Sequence, residues 1–208
     1  MTAQPQTADH NLTADEKIDK LRELFADAPE VGKKALENVL EKLKAQASKT
    51  PPPPVVSAGR VGSRVGKVSE LTIIFPLAPG GAERLRAFLR LLNGNPRDGA
   101  DMVGTLHDMR FVFLDNDSKL LFATAYDGDW DAYIDDFVTK IPDLLDIISS
   151  AFDGWPGIHS PDVKDYLVKH QITAEGWYVG NPDLTVAETR RLKRVGEAVD
   201  EFLDKVGD

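Results

Sequence analysis

The chain has 208 residues, of which 42% are hydrophobic, and it carries a formal net charge of −9. This apolar content is enough for a hydrophobic core and excludes a wholly disordered chain. Nucleic acid and anionic membrane surfaces repel an acidic protein, so the charge argues against both as partners. The sequence contains no cysteine, which excludes disulfides, thiolate catalysis and cysteine-ligated metal centres.

The sequence also carries no targeting signal that we can identify. No apolar run approaches the roughly 20 residues that cross a bilayer. Residues 1–11 are polar and lack the apolar centre of a signal peptide. The absence of cysteine suits a reducing compartment. We therefore expect a cytoplasmic protein without a membrane span.

Residues 1–47 are predicted to form a polar tail followed by two amphipathic helices. Thr13 and Glu16 have the spacing of a capping box at the start of the first helix. Pro29 separates that helix from the second, and both have apolar residues at helical spacing. Two short helices bury their apolar stripes poorly on their own. Residues 13–47 are thus expected to dock on the following domain, on a second copy of themselves or on another protein partner.

Residues 48–67 are predicted to be a linker. They contain four consecutive prolines, Pro51–Pro54, and glycines at positions 59, 62 and 66. Consecutive prolines favour the extended polyproline II conformation, and glycine-rich sequence favours flexible chain. A spacer between the N-terminal helices and a domain over residues 68–208 is the simplest interpretation.

Residues 68–208 are predicted to fold as one α+β domain. The predicted strands cover 68–77, 103–114, 119–126 and 171–179, and the predicted helices cover 82–92, a segment after Asp129, 143–151, 162–169 and a final segment after Thr185. The order is that of a ferredoxin-like βαββαβ module, with a four-stranded antiparallel sheet and helices on one face. The strands are apolar on both faces, so the second face also needs a cover. We expect two copies to pack sheet against sheet as a homodimer, a dimeric α+β barrel with a small-molecule pocket between them.

The predicted strand 103–114 carries the most informative polar residues, His107, Asp108 and Arg110. Because side chains alternate along a strand, His107 and Met109 are expected on one face and Asp108 and Arg110 on the other, unless a bulge changes the alternation. An imidazole here suits a general base or a metal ligand, and an Arg–Asp pair suits anion binding or peroxide polarisation. The structural alternative is an ion pair at the strand edge beside a hydrogen-bonded histidine.

Two further histidines are candidate cofactor ligands. His170 lies at the predicted end of a short helix, where it could equally cap the helix C-terminus. His159 lies in the loop that follows Trp155 and could line the mouth of a pocket. The spacing of these histidines matches no standard zinc motif.

Residues 68–206 resemble a little-characterised bacterial family of α+β-barrel proteins described as peroxidase-like. The resemblance lies in four stretches, Gly104–Phe111, Leu120–Phe122, Tyr126–Phe137 and Lys169–Gln171. It implies the barrel fold and a functional pair of His107 and Arg110. Related barrel families include dye-decolourising peroxidases and chlorite dismutases, which bind heme. Heme, with His107 or His170 as its iron ligand, is therefore the cofactor that the resemblance implies.

Two functions follow from these observations. The first is a peroxidase-like or oxidative enzyme that acts on a small molecule in the barrel pocket, with Arg110 and Asp108 assisting peroxide cleavage. The second is a non-catalytic ligand-binding or assembly protein whose N-terminal helices recruit a partner. The resemblance favours the enzyme, and the binding or assembly protein is the alternative.

Overall fold

The computed structural model describes residues 13–46, 53–92 and 97–206, and the chain divides into two compact units between Pro52 and Pro53. In the first unit, helix α1 covers Ala14–Leu24 and helix α2 covers Glu30–Gln46. The predicted capping box is confirmed, because the Thr13 N–H donates to Glu16 at 2.7 Å and the Glu16 N–H donates to the Thr13 hydroxyl at 3.3 Å. An ion pair of 2.8 Å between Arg22 and Glu37 joins the two helices.

The described part of the second unit contains one antiparallel sheet of five strands, in the order β1-β2-β3-β5-β4, and six helices. The elements are β1 (Val55–Ser57), β2 (Ser63–Val65), β3 (Val68–Pro76), α3 (Gly81–Leu91), α4 (Arg97–Val103), β4 (Leu106–Leu114), β5 (Lys119–Asp127), α5 (Trp130–Lys140), α6 (Pro142–Ser149), α7 (Val163–His170) and α8 (Val186–Val206). The prediction of a mixed α+β fold is confirmed. No helix in the described ranges is both long and apolar enough to cross a bilayer.

The main core lies between one face of the sheet and the helices. Leu71, Ile73 and Phe75 alternate along β3 and are buried, whereas Thr72 and Ile74 between them are only half-buried. The three buried residues belong to one cluster of buried side chains that also includes residues of α3, α5, α6 and α7. These helices therefore cover the same face of the sheet, and the opposite face is the less covered one.

The predicted fourth strand, residues 171–179, is wrong. Gln171 forms a single bridge to Ile73, and the Ile172 N–H donates to the carbonyl of Thr72 at 2.9 Å. The chain then leaves the sheet, because the buried carboxylate of Glu70 accepts the N–H of Ala174 at 3.3 Å. The Ala174 N–H, which would donate to the backbone of β3 if the strand continued, therefore donates to a side chain of β3 instead.

The predicted linker, residues 48–67, contains two strands in this structure. β2 joins β3 through a tight turn, with Val65 paired to Val68 and Gly66 at φ +61°. Ala58, between β1 and β2, is fully buried, and its carbonyl accepts the N–H of Trp130 at 2.7 Å. The glycines that suggested flexible chain instead supply the positive φ angles that this compact hairpin requires.

Helix α4 was also not predicted. The sequence predicted no helix between the helix over 82–92 and the strand from Val103, whereas residues 97–103 are helical. The helix is short, it contains Gly99, and it ends before Gly104 at φ +81°. Seven residues with an internal glycine have too little helical periodicity to identify a helix from sequence.

Candidate functional site

The interior of the second unit contains an apolar cavity between the sheet and the helices. Its volume is about 60 Å³, and its walls come from the inner face of the sheet, from α4 to α7 and from the loop after α6. Its walls include Leu71, Ile73, Phe75, Leu106, Met109, Phe111, Phe122, Ile134, Phe137, Leu144, Leu145, Ile148, Phe152, Trp155 and Leu167. Within the described part of the chain, no charged residue and no histidine lines it.

The cavity is enclosed by large apolar side chains that come from both the sheet and the helices. β3 and β4 supply side chains from alternate positions, among them Phe75 and Phe111, while Leu144 and Ile148 approach from α6. A volume of about 60 Å³ exceeds the space that one water needs, but ordered water requires several polar partners that these walls do not offer. The cavity is therefore suited to an apolar group rather than to water.

A second, more open groove lies beside the cavity. It has a volume of about 360 Å³ and shares three lining residues with the cavity, Gly99, Ile141 and Leu144. Gly99 of α4 packs so closely on α6 that an added Cβ would collide with Cδ2 of Leu144. These three residues form the wall between groove and cavity, and the Leu144 side chain is its flexible part.

The groove has a polar rim with an excess of negative charge. Asp98 and Asp143 lie on it, together with a single lysine, Lys140, among its described lining residues. Lys140 is already engaged, because its ammonium lies 3.0 Å from the carboxylate of Asp136 and donates to the carbonyl of Val103 at 3.0 Å. A ligand with a neutral or cationic polar end suits this rim better than an anion.

The three polar residues predicted on β4 separate into two groups. A bulge between Leu106 and Asp108 interrupts the pairing of β4 with β5, so His107 leaves the regular alternation. Its Nε2 lies 2.7 Å from Oδ1 of Asp127. Asp108 and Arg110 form their own ion pair of 2.7 Å on the outer face of the sheet, with side chains 48% and 61% exposed. None of the three lines the apolar cavity.

The other two histidines lie elsewhere. His170 ends α7, where its Nδ1 lies 2.9 Å from the carbonyl of Tyr166 and its ring lies 5.8 Å from that of Phe75. His159 is exposed in the loop before α7. His107 is bonded to Asp127, which pairs with Val68 at the opposite end of β3. About 23 Å of strand separates that end from Phe75, at 3.3 Å per residue.

The structure does not assemble these residues into a heme site. The two histidines that the resemblance implies as iron ligands lie at opposite ends of β3 and outside the cavity. Within the described chain, Met109 is the lining residue with a soft donor atom. No group of three or more histidine, aspartate or glutamate side chains that could hold a metal ion occurs among the described residues. The cavity is also far smaller than a porphyrin ring, so the residues present do not fit heme.

Asp127 is the residue near the predicted site that sequence reasoning missed. Its side chain is 12% exposed, and its carboxylate accepts the N–H of Val186, the first residue of α8, at 3.0 Å. It therefore connects His107 to the start of α8. The partners of Asp127 lie 20 and 59 positions away in the chain. No local pattern could have indicated them.

Two buried tyrosines beside the cavity are structural. The rings of Tyr126 and Tyr133 stack with centroids 3.8 Å apart, and the Tyr133 hydroxyl is 3.3 Å from that of Thr124. Burial raises the pKa of both phenols well above the ordinary value. Both phenols therefore keep their protons well above neutral pH.

Comparisons of the chain with protein-family models, with curated proteins and with solved structures found no match. The resemblance to peroxidase-like barrel proteins therefore stays a prediction from the sequence.

Proposed function

We propose that the unit formed by residues 53–206 is a non-catalytic module that binds a small molecule through an apolar group. The observation that carries this proposal is the apolar cavity of about 60 Å³ with an open groove beside it. A slender group, such as the end of an alkyl chain, would enter past Leu144 and fill the cavity. The bulkier or polar part of the ligand would stay in the groove, where Asp98 and Asp143 favour a neutral or cationic end.

A series of n-alkanols from butanol to decanol tests this proposal. Each methylene that enters the cavity contributes about 0.8 kcal/mol, so affinity should rise roughly fourfold per carbon. The rise should flatten once the cavity is full and further carbons stay in the groove. Calorimetric titration or methyl chemical shifts of the full chain would report the binding. An affinity that does not depend on chain length would contradict the proposal.

Two substitutions on α6 provide a matched pair. Leu144→Phe places a larger side chain in the wall between groove and cavity and should abolish alkanol binding. Ile147→Phe makes the same kind of change on the same helix, but Ile147 is 53% exposed and is not among the lining residues. It should bind as the unmodified chain does. Equal binding by both variants, with unchanged melting temperatures, would refute the assignment of the site.

Peroxidase-like activity stays the competing prediction. It requires that the full chain bind heme and develop a Soret band that disappears in His107→Ala or His170→Ala. If the unit is a binding module, heme titration should produce no saturable Soret shift. A saturable band that depends on either histidine would favour the enzyme over the binding module.

We also propose that β3, α3, β4, β5 and α5 correspond to the first five elements of a ferredoxin-like module. The strand order β3-β5-β4 supports this. In such a module a fourth strand would lie beside β3 on the edge away from β5. Here β2 and the bridge at Gln171 take that position. A solved structure with Gln171 outside the sheet edge would contradict the correspondence.

A further inference from the structure

Three aromatic side chains form one wall of the cavity. Phe75 of β3, Phe152 after α6 and Trp155 in the following loop line the cavity but not the groove. The rings of Phe75 and Phe152 stack with their centroids 4.1 Å apart. Tyr166 of α7 supports both sides of this group, because its ring stacks on Phe75 at 5.9 Å and meets the indole of Trp155 edge-on at 5.4 Å. Phe75, Phe152 and Trp155 therefore form a continuous aromatic wall.

The aromatic wall lies at the end of the cavity away from the groove. Ile141, just before α6, and Leu144 in its first half line both spaces, whereas Ser149 at its end lines the cavity alone. Leu144 and Ser149 are about 8 Å apart along the helix axis, at 1.5 Å per residue. Phe152 and Trp155 follow directly after this end of α6. A group that enters past Leu144 therefore advances along α6 toward the aromatic wall.

A hydrogen bond fixes the indole of Trp155 in the wall. Its Nε1 donates to Oδ1 of Asp146 at 2.7 Å, and the same oxygen accepts the N–H of Ile158 at 2.8 Å. Gly154 and Gly157, on either side of Trp155, have φ of +68° and +92°, which glycine adopts without strain. Because Asp146 belongs to α6, its carboxylate ties both the loop and the indole to a helix that lines the cavity.

Trp155 differs from the other two members of the wall in its burial. Phe75 and Phe152 are 2% and 5% exposed and belong to the buried core cluster. Trp155 is only half-buried, so one part of its ring lines the cavity while another part is accessible from outside. A change at Trp155 therefore alters the end of the cavity with less disturbance of the core than a change at either phenylalanine.

We propose that Trp155, positioned by Asp146, sets the greatest length of alkyl chain that the cavity accepts. This role rests on the binding function proposed above and adds a specificity to it, for a short unbranched chain whose terminal methyl contacts the indole. Once the methyl reaches the wall, further carbons remain in the groove and gain less from burial. The ring of Trp155 is the part of the wall that a smaller side chain would open to a longer chain.

Titration of the full chain with n-alkanols tests the role of Trp155. In the unmodified chain, affinity should rise about fourfold per carbon up to a plateau. Trp155→Leu removes ring atoms in line with the alkyl chain, so its plateau should lie about two carbons further along the series. Trp177→Leu is the matched control, because Trp177 is also half-buried but is not among the lining residues. Its plateau should equal that of the unmodified chain.

Two substitutions of Asp146 test how the indole is held. Asp146→Ala removes the acceptor of the Trp155 and Ile158 N–H groups, so the indole can leave the wall and the plateau should also move to longer alkanols. Asp146→Asn keeps an oxygen that can accept from both and should restore the original plateau. A role of Asp146 in stability alone would lower the melting temperature of Asp146→Ala without moving its plateau, which would contradict its positioning of Trp155.

A nuclear Overhauser measurement on the unmodified chain decides the case even if a variant fails to fold. The terminal methyl of the alkanol at the plateau length should show cross-peaks to the indole protons of Trp155. An affinity that does not depend on chain length would overturn the binding function and this role together. A plateau that stays in place in folded Trp155→Leu, or a bound methyl without cross-peaks to Trp155, would overturn the role of Trp155 and leave the binding function standing.

Discussion

The link between β5, β4 and α8 at Asp127 gives the sharpest test of what His107 does. The Asp127 carboxylate accepts from the Val186 N–H at 3.0 Å and lies 2.7 Å from the His107 imidazole. Asp127→Ala removes both interactions. Asp127→Asn keeps an oxygen that can accept from Val186 but removes the negative charge that faces the histidine.

The expected magnitudes follow from these two contacts. Loss of a helix-capping oxygen costs about 1 kcal/mol, and loss of the partly buried bond to the imidazole costs about 1 kcal/mol more. Asp127→Ala should therefore lower the free energy of unfolding by about 2 kcal/mol. For a unit of this size, the melting temperature should fall by roughly 4–8 °C. Asp127→Asn should lose only about half as much.

Urea unfolding followed by tryptophan fluorescence would measure these differences, with His107→Ala and the double variant completing a thermodynamic cycle. If His107 serves mainly to bind Asp127, its replacement should cost about 1 kcal/mol in the original chain and little in Asp127→Ala. Additive effects, or equal destabilisation by Asp127→Ala and Asp127→Asn, would show that this reasoning is wrong.

Two further predictions concern local contacts. The Lys67 ammonium, together with the N–H and hydroxyl of Thr185, holds the pKa of Glu188 at about 2, below the ordinary 4.5. The stabilisation is therefore present above pH 4.5 and is lost as the pH falls toward 2. Melting temperatures of Glu188→Gln and the original chain should accordingly differ above that window and converge below it, and a constant difference would contradict the assignment. Gly81→Ala should destabilise by several kcal/mol, because its Cβ would collide with the backbone carbonyl of Ala151. In Gly99→Ala, the added Cβ would collide only with the end of the flexible Leu144 side chain. This substitution also gains up to about 1 kcal/mol of helix propensity. Equal urea midpoints for Gly81→Ala and Gly99→Ala would refute this distinction.

Features that depend on neighbouring residues were predictable from the sequence. Thr185 and Glu188 have the same capping-box spacing as Thr13 and Glu16, and this box is present too. The Thr185 N–H donates to Glu188 at 2.8 Å and the Glu188 N–H donates to Thr185 at 3.1 Å. The predicted strands 103–114 and 119–126 leave four residues between them, as a hairpin turn requires. In the structure, the turn between β4 and β5 places Asp115 and Asn116 at positive φ, where aspartate and asparagine are the most tolerated residues after glycine. Each of these two features depends only on residues that lie within four positions of one another in the chain.

Features that depend on distant contacts were not predictable. The segment after Gln171 has the apolar composition of a strand, but a carboxylate on β3, Glu70, binds its backbone at Ala174. The cavity depends on the sizes of side chains from several elements, which no single segment reveals. Likewise, Asp127, the partner of His107, is 20 residues away in the chain. A bulge decides the direction in which the His107 side chain points. The sequence therefore identified candidate residues but did not show which of them lie close together in the folded chain.

The bulge at His107 also affects how β4 tolerates change. Because the additional residue is absorbed at one point, Leu106 and Met109 both line the cavity although they are three positions apart. A residue inserted elsewhere in β4 would exchange the inner and outer side chains on one side of the insertion. His107 is thus the position in β4 at which an additional residue is accommodated while Leu106 and Met109 both stay on the inner face of the sheet.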